Sequence, residues 1–388
     1  MPYKKEKLKP IQVTSGSKQH FFGYYDKEQW DSSNRYLLTH EVDFKDRAPA
    51  PEDEITIGMI DTREDFKYIP VSKTRAWCWQ QGSMLQWIPQ RDNLIIHNDR
   101  IGDRFAARII NVATGKVEKV LPRPIYTLSN DGKKALSLNF SRNAATRPGY
   151  GYYGLNDFRK DSLYPADDGI YLMDLETGKH ELIISLEEMV NIRGKEINKN
   201  SKHWFNHLLF NPDDSRFIFL HRWLTPNGES FNTRLCTADL EGEDIFISDL
   251  KKGSHFIWYD KNTILIWGYT EKEGYSYYLI TDHTDKKETV GKEVLTRDGH
   301  CTLTSDQEWM LTDEYPGNEN KRKLILYKFR DNLRIDIGEF YSPPEYTGEL
   351  RCDLHPRWDR EDNQVCIDSL HEGERQMYIL KVKKIINS

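Results

Sequence analysis

Cysteine is scarce in this sequence. There are five in 388 residues (Cys78, Cys236, Cys301, Cys352 and Cys366), an odd number with no CxxC spacing. That pattern argues against a disulfide-built scaffold, and reduced thiols in a cytoplasm are the simplest account. No apolar run approaches the roughly 18 residues that a transmembrane helix needs, so no membrane association is expected. The opening stretch MPYKKEKLKPIQVTSGS carries charge but no apolar centre, and it is not expected to act as a secretory signal. The net charge of -6 and the lack of a basic cluster interleaved with aromatics argue against nucleic-acid binding. There is no GxSxG, no P-loop, no GxGxxG following a strand and no HExxH. No organic cofactor is expected.

Aromatic residues, by contrast, are abundant, with 21 Tyr and 10 Trp. One unit recurs seven times. Its outer half is a short apolar strand, a D-x-x-T-G-like turn and a second strand. Copies are ITIGMIDTRED from Ile55, ARIINVATGKVE from Ala107, DGIYLMDLETGKHELI from Asp168, TRLCTADLEGEDIFI from Thr233, YSYYLITDHTDKKETV from Tyr275, KLILYKFRDNLRIDIG from Lys323 and RQMYILKVKK from Arg375. An inner strand pair precedes each copy, as in HLLFNPDDSRFIFLHRW and HCTLTSDQEWMLTDEY.

Four short strands per unit, at a period of about 55 residues, predict an all-β, seven-bladed propeller of antiparallel blades. One domain over residues 1–388 is expected. The seventh unit stops after three strands, and PIQVTS (Pro10 to Ser15) is expected to supply the fourth and close the ring. The SLEEMVNIRG stretch from Ser185 reads as a helical insertion in blade 4. The longest insertion, SRNAATRPGYGYYGLNDFRKDSLYPADD, falls in blade 3, and loops of that length are usually functional.

With strands labelled A (inner) to D (outer), the A-to-B and C-to-D turns carry ordinary hairpin residues. The opposite face carries the D-to-A and B-to-C connections, where histidine, arginine and tyrosine gather. The set includes His20, His97, Asp99, Arg100, Arg147, Tyr150, Tyr152, His207, His221, Arg222, Trp223, Arg234, His255, His300, Asp353 and His355. Histidines at the strand A entries are expected to converge at the mouth of the axial channel. Each one alone could equally bond a neighbouring blade. The concentration on one face is what points to a concave site.

Such a face suits β-elimination from a uronic acid. That reaction needs a neutralised carboxylate, a base for the C5 proton and an acid for the leaving oxygen. Aromatics such as Trp79, Trp223, Tyr152 and Tyr153 could stack on sugar rings. Glycoside hydrolysis with Asp313 or Asp99 on the same face is an alternative. A non-catalytic glycan- or protein-binding propeller is another.

The sevenfold pattern and the face histidines resemble the oligogalacturonate lyases, and more loosely the propeller-type ulvan lyases and TolB-like propellers. The resemblance implies a cytoplasmic lyase acting on short uronides, with a divalent metal at the funnel: manganese, calcium or zinc. It assigns His300 and His355 as metal ligands. Further family ligands fall at Asp353, which offers oxygen, and at Leu350, which offers no donor. It implies His255 (in SHFIW) and Arg234 (in NTRLC) as catalytic residues, with a Tyr of GYGYY, here Tyr152, sharing that role. Arg100, Arg147, His207, His221, Arg222, Trp223 and His20 are the expected substrate contacts. The expected partner is an acidic oligosaccharide, and the chain is expected to be a monomer or weak oligomer. A thiolate from Cys301 or Cys352 would favour zinc, although Cys301 is expected to point into strand packing.

Overall fold

Seven antiparallel sheets follow one another along the chain. They are seen in a computed structural model that describes residues 2–192, 197–284 and 286–387. Blade 1 runs from Gln19–Phe21 to Lys67–Thr74 and blade 2 from Gln86–Trp87 to Lys116–Leu121. Blade 3 runs from Thr127–Leu128 to His180–Ser185 and blade 4 from His203–Phe210 to Phe246–Ile247. Blade 5 spans Lys252–Trp258 to Lys287–Val290 and blade 6 spans Thr302–Leu303 to Leu333–Tyr341. Blade 7 begins at Arg357–Trp358 and ends at Gln376–Lys381. The seven-bladed architecture is the one expected. No helix of the described residues is long and apolar enough to cross a membrane.

The ring closes as the sequence suggested. Ile11–Gln12 pairs antiparallel with the last strand of blade 7, Ile11 opposite Ile379 and Gln12 opposite Tyr378. Val13 follows into a buried cluster with Trp30, Leu37 and Met377. One strand was not anticipated. Tyr3–Lys5 adds in parallel to the outer edge of blade 6, Tyr3 opposite Arg334. The N-terminal segment therefore covers the edges of two adjacent blades.

The A-to-B turns show why their residues were chosen. Asn34, Asn93, Gly132, Asp214, Gln307 and Asp362 all adopt left-handed backbone, with φ between 54° and 66°. Asn, Asp and Gly tolerate that conformation best. Several of these side chains also lace neighbouring blades. Asp214 accepts from the backbone amides of Asn130 and Asp131, Asp362 from Ser305, and Asn34 from Arg360. The apolar faces of successive blades pack on one another, and the largest cluster runs through blades 2, 3 and 4.

Two short helices sit on the opposite face. α1 (Phe140–Thr146) lies inside the long blade 3 insertion. α2 (Leu186–Asn191) starts at Ser185 with a capping box to Glu188, and it links blade 3 to blade 4. The predicted helical stretch extended to Gly194, and Arg193 and Gly194 lie outside the described residues. The five cysteines are all free and buried.

Candidate active site

Strand A of each blade begins beside the axis, so side chains at its entry converge. Blades 4 to 7 each place a histidine there: His207, His255, His300 and His355. Local backbone irregularity aims them. The ladder of blade 4 shifts register between Asn206 and Leu209, and that of blade 5 between Gly253 and Phe256. His207 and His355 have positive φ, 56° and 41°. A bulge re-aims a side chain in this way beside a site. The result is an arc of rings. The centroids of His255 and His300 are 4.0 Å apart, and those of His300 and His355 are 4.3 Å apart.

Blade 1 fills the axis itself. At Gly23 (φ 120°) a Cβ would meet the backbone carbon of Gln81 at 2.8 Å, so only glycine allows the chain through. Tyr24, Tyr25, Asp26 and Lys27 follow. Tyr24 packs edge-on against His207, His300 and His355, with centroids 5.0, 6.1 and 5.1 Å away. The Tyr25 hydroxyl donates to the Phe256 carbonyl at 2.8 Å, accepts from the Phe256 amide at 3.0 Å and lies 3.4 Å from His207 Nε2. Asp26 pairs with Lys27 at 2.9 Å and faces His207 Nε2 at 3.4 Å. Burial alone would raise the Asp26 carboxyl, but Lys27 and His207 outweigh it and hold it at about 2. Burial lowers the Lys27 ammonium against the pull of Asp26, and it holds His207 at about 4.

Two of the histidines carry their own carboxylate. His255 Nδ1 is 2.9 Å from Asp298 Oδ1. His300 Nδ1 is 2.9 Å from Asp313 Oδ1, which also accepts the His300 amide at 2.8 Å. A carboxylate at Nδ1 fixes the proton there and leaves Nε2 with its lone pair. Burial and the adjacent His300 lower the His255 pKa, while Asp298 opposes that shift. His255 is therefore neutral at pH 7.

Donor atoms of His300, Asp353 and His355 lie within 4.8 Å of one another. Two of their buried nitrogens lack a hydrogen-bond partner: His300 Nε2 and His355 Nε2. Two unpartnered buried imidazole nitrogens beside a carboxylate are a donor set that fits a divalent cation of the manganese-to-zinc range. Asp353 also meets two guanidinium groups, Arg322 at 2.8 Å and Arg351 at 2.7 Å. Burial would raise its pKa, but Arg351 and Arg322 carry it well below the usual carboxylate range. Leu350 packs instead against the Phe21, Trp77 and Trp79 cluster. Cys301 lies in the apolar packing of blades 5 and 6. Neither Cys301 nor Cys352 joins the donor group among the described residues.

Other sequence candidates fall into three places. Arg147 and Arg222 flank the Phe231 ring, 4.7 and 4.8 Å from its centroid, and Arg147 also covers Tyr150. Tyr150 packs on Tyr24 and accepts from Arg351 Nη2 at 2.5 Å, so this group adjoins the histidine arc. Arg234 belongs to a second, buried chain. Its Nε donates to His221 Nδ1 at 3.0 Å, His221 Nε2 meets His203 Nδ1 at 3.0 Å, and Arg234 Nη2 donates to the Met189 carbonyl of α2. Trp223 stacks on His203 at 5.8 Å in that same chain. No contact joins Arg234 to His255, His300 or His355 among the described residues.

The third group is dispersed. Tyr152 is fully buried, stacked on Phe140 at 4.3 Å, and it accepts from Asn98 at 2.9 Å. Of the GYGYY tyrosines, Tyr150 is the one beside the axis. Arg100 reaches Glu52 on the rim at 3.2 Å. His20 lines a separate cavity of about 370 Å³ between blades 7 and 1, edge-on to Tyr68. Trp79 is buried, with its indole donating to the Arg47 carbonyl.

Sequence reasoning did not single out Tyr24, Tyr25, Asp26, Lys27, Arg322 or Arg351. The one available signal was the extra length of the blade 1 inner pair, where GYYDK separates strand A from its turn.

No protein-family model and no curated protein matches the chain. Solved structures do. An oligogalacturonate lyase from Vibrio parahaemolyticus aligns with a TM-score of 0.68 at 15% identity, covering 97% of this chain and 94% of that one. An oligogalacturonate lyase in complex with manganese aligns with a TM-score of 0.69 at 13% identity, covering 99% and 100%. A β-propeller domain from Myceliophteria thermophila follows with a TM-score of 0.51 at 10% identity, covering 96% and 100%. The chain is thus similar in fold, over nearly its whole length, to the oligogalacturonate lyases.

Proposed function

We propose that the protein is a carbohydrate lyase that cleaves a uronic-acid-containing oligosaccharide by β-elimination. The observation that carries this reading is the Asp298–His255 pair lying ring to ring with the His300, Asp353 and His355 donor group. Neutral His255, with Nδ1 held by Asp298, presents Nε2 as a base for the C5 proton of a uronate. The electron pair left at C5 forms the C4–C5 double bond, the C4–oxygen bond breaks, and the leaving oxygen takes a proton. Tyr315 is the acid this geometry favours. Its ring is 6.1 Å from that of His255, and burial and Asp353 raise its pKa, so it stays protonated.

A divalent cation held by His300, Asp353 and His355 would neutralise the carboxylate of the reacting sugar. Fold similarity to a lyase solved with manganese supports the same reading. The two carboxylates considered for hydrolysis are engaged elsewhere. Asp313 holds His300, and Asp99 pairs with Arg108 at 2.7 Å. A cytoplasmic, late-stage role on short acidic oligosaccharides is part of the proposal.

The test is an ultraviolet screen of uronide oligosaccharides, with and without chelator. The 4,5-unsaturated product absorbs in the near ultraviolet. A rise on a uronide, reduced by chelator, is expected. No rise on any acidic glycan would overturn the reading.

A further inference from the structure

The histidine arc is roofed over. His300, His355 and His255 are 0%, 3% and 6% exposed. A sugar ring cannot reach groups so enclosed, so the roof has to part for the proposed reaction. Two connections build it. One links blade 6 to blade 7 through residues 342–352, and the other is the blade 3 insertion around Tyr150. They meet across the mouth. Tyr153 donates to Glu349 Oε2 at 3.1 Å, and at Gly149 (φ 89°) a Cβ would meet the Glu349 Cβ at 2.8 Å. The foot of the link is fixed, because the Leu350 carbonyl accepts from Arg375 and the Glu349 and Arg351 carbonyls accept from Gln80.

Arg351 joins this roof to the donor group beneath it. Its Nη2 holds the Tyr150 hydroxyl at 2.5 Å, its Nη1 holds the Gly348 carbonyl at 3.1 Å, and its Nε donates to Asp353 Oδ2 at 2.7 Å. Oδ2 is the oxygen that faces His355 Nε2, 3.9 Å away. A guanidinium therefore stands on the carboxylate oxygen that the donor group would offer a cation. Asp353 also has Arg322 on Oδ1 at 2.8 Å, so one buried carboxylate already serves two positive groups. A dication added there meets both at short range with little water to screen it, and one guanidinium has to yield. Arg322 cannot, since its side chain is 3% exposed and set in strand C of blade 6. Arg351 can, since its side chain reaches the surface at 16% exposure.

We propose that Arg351 is the latch of a cation-operated gate. A divalent cation on His300, Asp353 and His355 displaces Arg351 from Asp353. The displaced side chain lets go of Tyr150, and the blade 3 insertion parts from the link between blades 6 and 7. This rests on the cation reading of the donor group and is independent of which sugar is cleaved. It orders the events: the cation first, then the substrate through the opened mouth. Cation binding and opening are thereby linked in both directions.

The test is manganese titration by calorimetry, with hydrogen exchange followed over residues 342–351 and 147–154. It uses the chelator-treated full chain and its Arg351→Gln, Tyr150→Phe and His355→Ala variants. Manganese should speed exchange in both segments of wild type. Arg351→Gln should exchange fast without manganese and bind it about tenfold more tightly, a usual size for coupling between two sites. Tyr150→Phe removes only the hydroxyl that Arg351 holds, and it should shift both readings the same way by a smaller factor. In His355→Ala the response to manganese should disappear.

Manganese that binds wild type without speeding exchange would overturn the gate and keep the cation reading. So would weaker manganese binding by Arg351→Gln, which would mark the arginine as a support for the ligand carboxylate. No binding by wild type, or binding that His355→Ala leaves intact, would overturn the cation reading and the gate with it. The wild-type exchange comparison decides the matter even if Arg351→Gln fails to fold.

Discussion

His255 and His300 lie 4.0 Å apart, ring to ring, and each is fastened through Nδ1 to its own carboxylate, Asp298 and Asp313. In the proposed elimination these two adjacent imidazoles take different tasks. His300 would hold the cation with Asp353 and His355, and His255 would be left as the base.

The pH dependence of turnover follows from that division. His255 acts when neutral, so activity falls as the pH drops through its pKa. Burial and His300 put that pKa below 6.5, and Asp298 is the group that raises it. The acid limb of kcat/KM should therefore lie below 6.5. Asp298→Asn should move it lower still and reduce the rate by about 10- to 100-fold through loss of the fixed tautomer. A pH–rate profile of both proteins checks this. An acid limb above 6.5, or one that Asp298→Asn leaves in place, contradicts the assignment.

The plug in the axis should behave as a buried ion pair. Removing Lys27 strands the Asp26 carboxylate with a neutral histidine. Lys27→Met is expected to destabilise the fold by about 3–5 kcal/mol. Lys27→Met with Asp26→Leu should recover most of it, since an apolar pair of similar volume avoids the desolvation cost. Urea denaturation of the three proteins gives the comparison.

Several histidines are held neutral by burial at about 4: His97, His203 and His207. In the unfolded chain they titrate near 6.5. Between those values the unfolded state binds more protons, so stability is lost as the pH falls from 6.5 toward 4, on the order of 2 kcal/mol for each such group. Asp26 and Asp353 add a further loss below pH 3.8, where their unfolded forms protonate and the native ones do not. The denaturation midpoint should fall steadily from pH 7 to pH 4.5. A flat profile over that range would contradict this account of the buried histidines.

Ring closure gives a graded truncation series. Removing residues 1–9 deletes the exposed parallel strand on blade 6 and should cost little. Removing residues 1–14 also takes Ile11, Gln12 and buried Val13, which opens the edge of blade 7. That form is expected to melt far lower and to aggregate, because an unpaired edge templates association. Thermal melts with light scattering separate the two outcomes.

The repeat, the closing strand and the left-handed turn residues were legible because each obeys a local rule. Asn93 and Asp214 announce a turn wherever they sit, and PIQVTS is the strand that blade 7 lacks. The site was legible only as a face. Strand register tells which end of a blade a residue occupies and says little about its distance from the axis. The resemblance implied Arg234 and His255 together as catalytic residues, while the structure puts Arg234 under α2 with His221. Tyr150 and Tyr152 lie in a loop without strand periodicity, so nothing in GYGYY distinguishes the ring beside Tyr24 from the one stacked on Phe140. The plug was hidden for another reason. Tyr24 to Lys27 reads as an ordinary polar–aromatic stretch until Gly23 turns it into the channel.

The most direct test of the elimination chemistry is proton nuclear magnetic resonance of the products formed from saturated digalacturonate by wild type and by His255→Ala. The account predicts a new vinylic signal for the C4–C5 double bond with wild type, and loss of at least about 100-fold in its rate of formation with His255→Ala. Two saturated sugars in place of the vinylic product, or equal rates from both proteins, would contradict it.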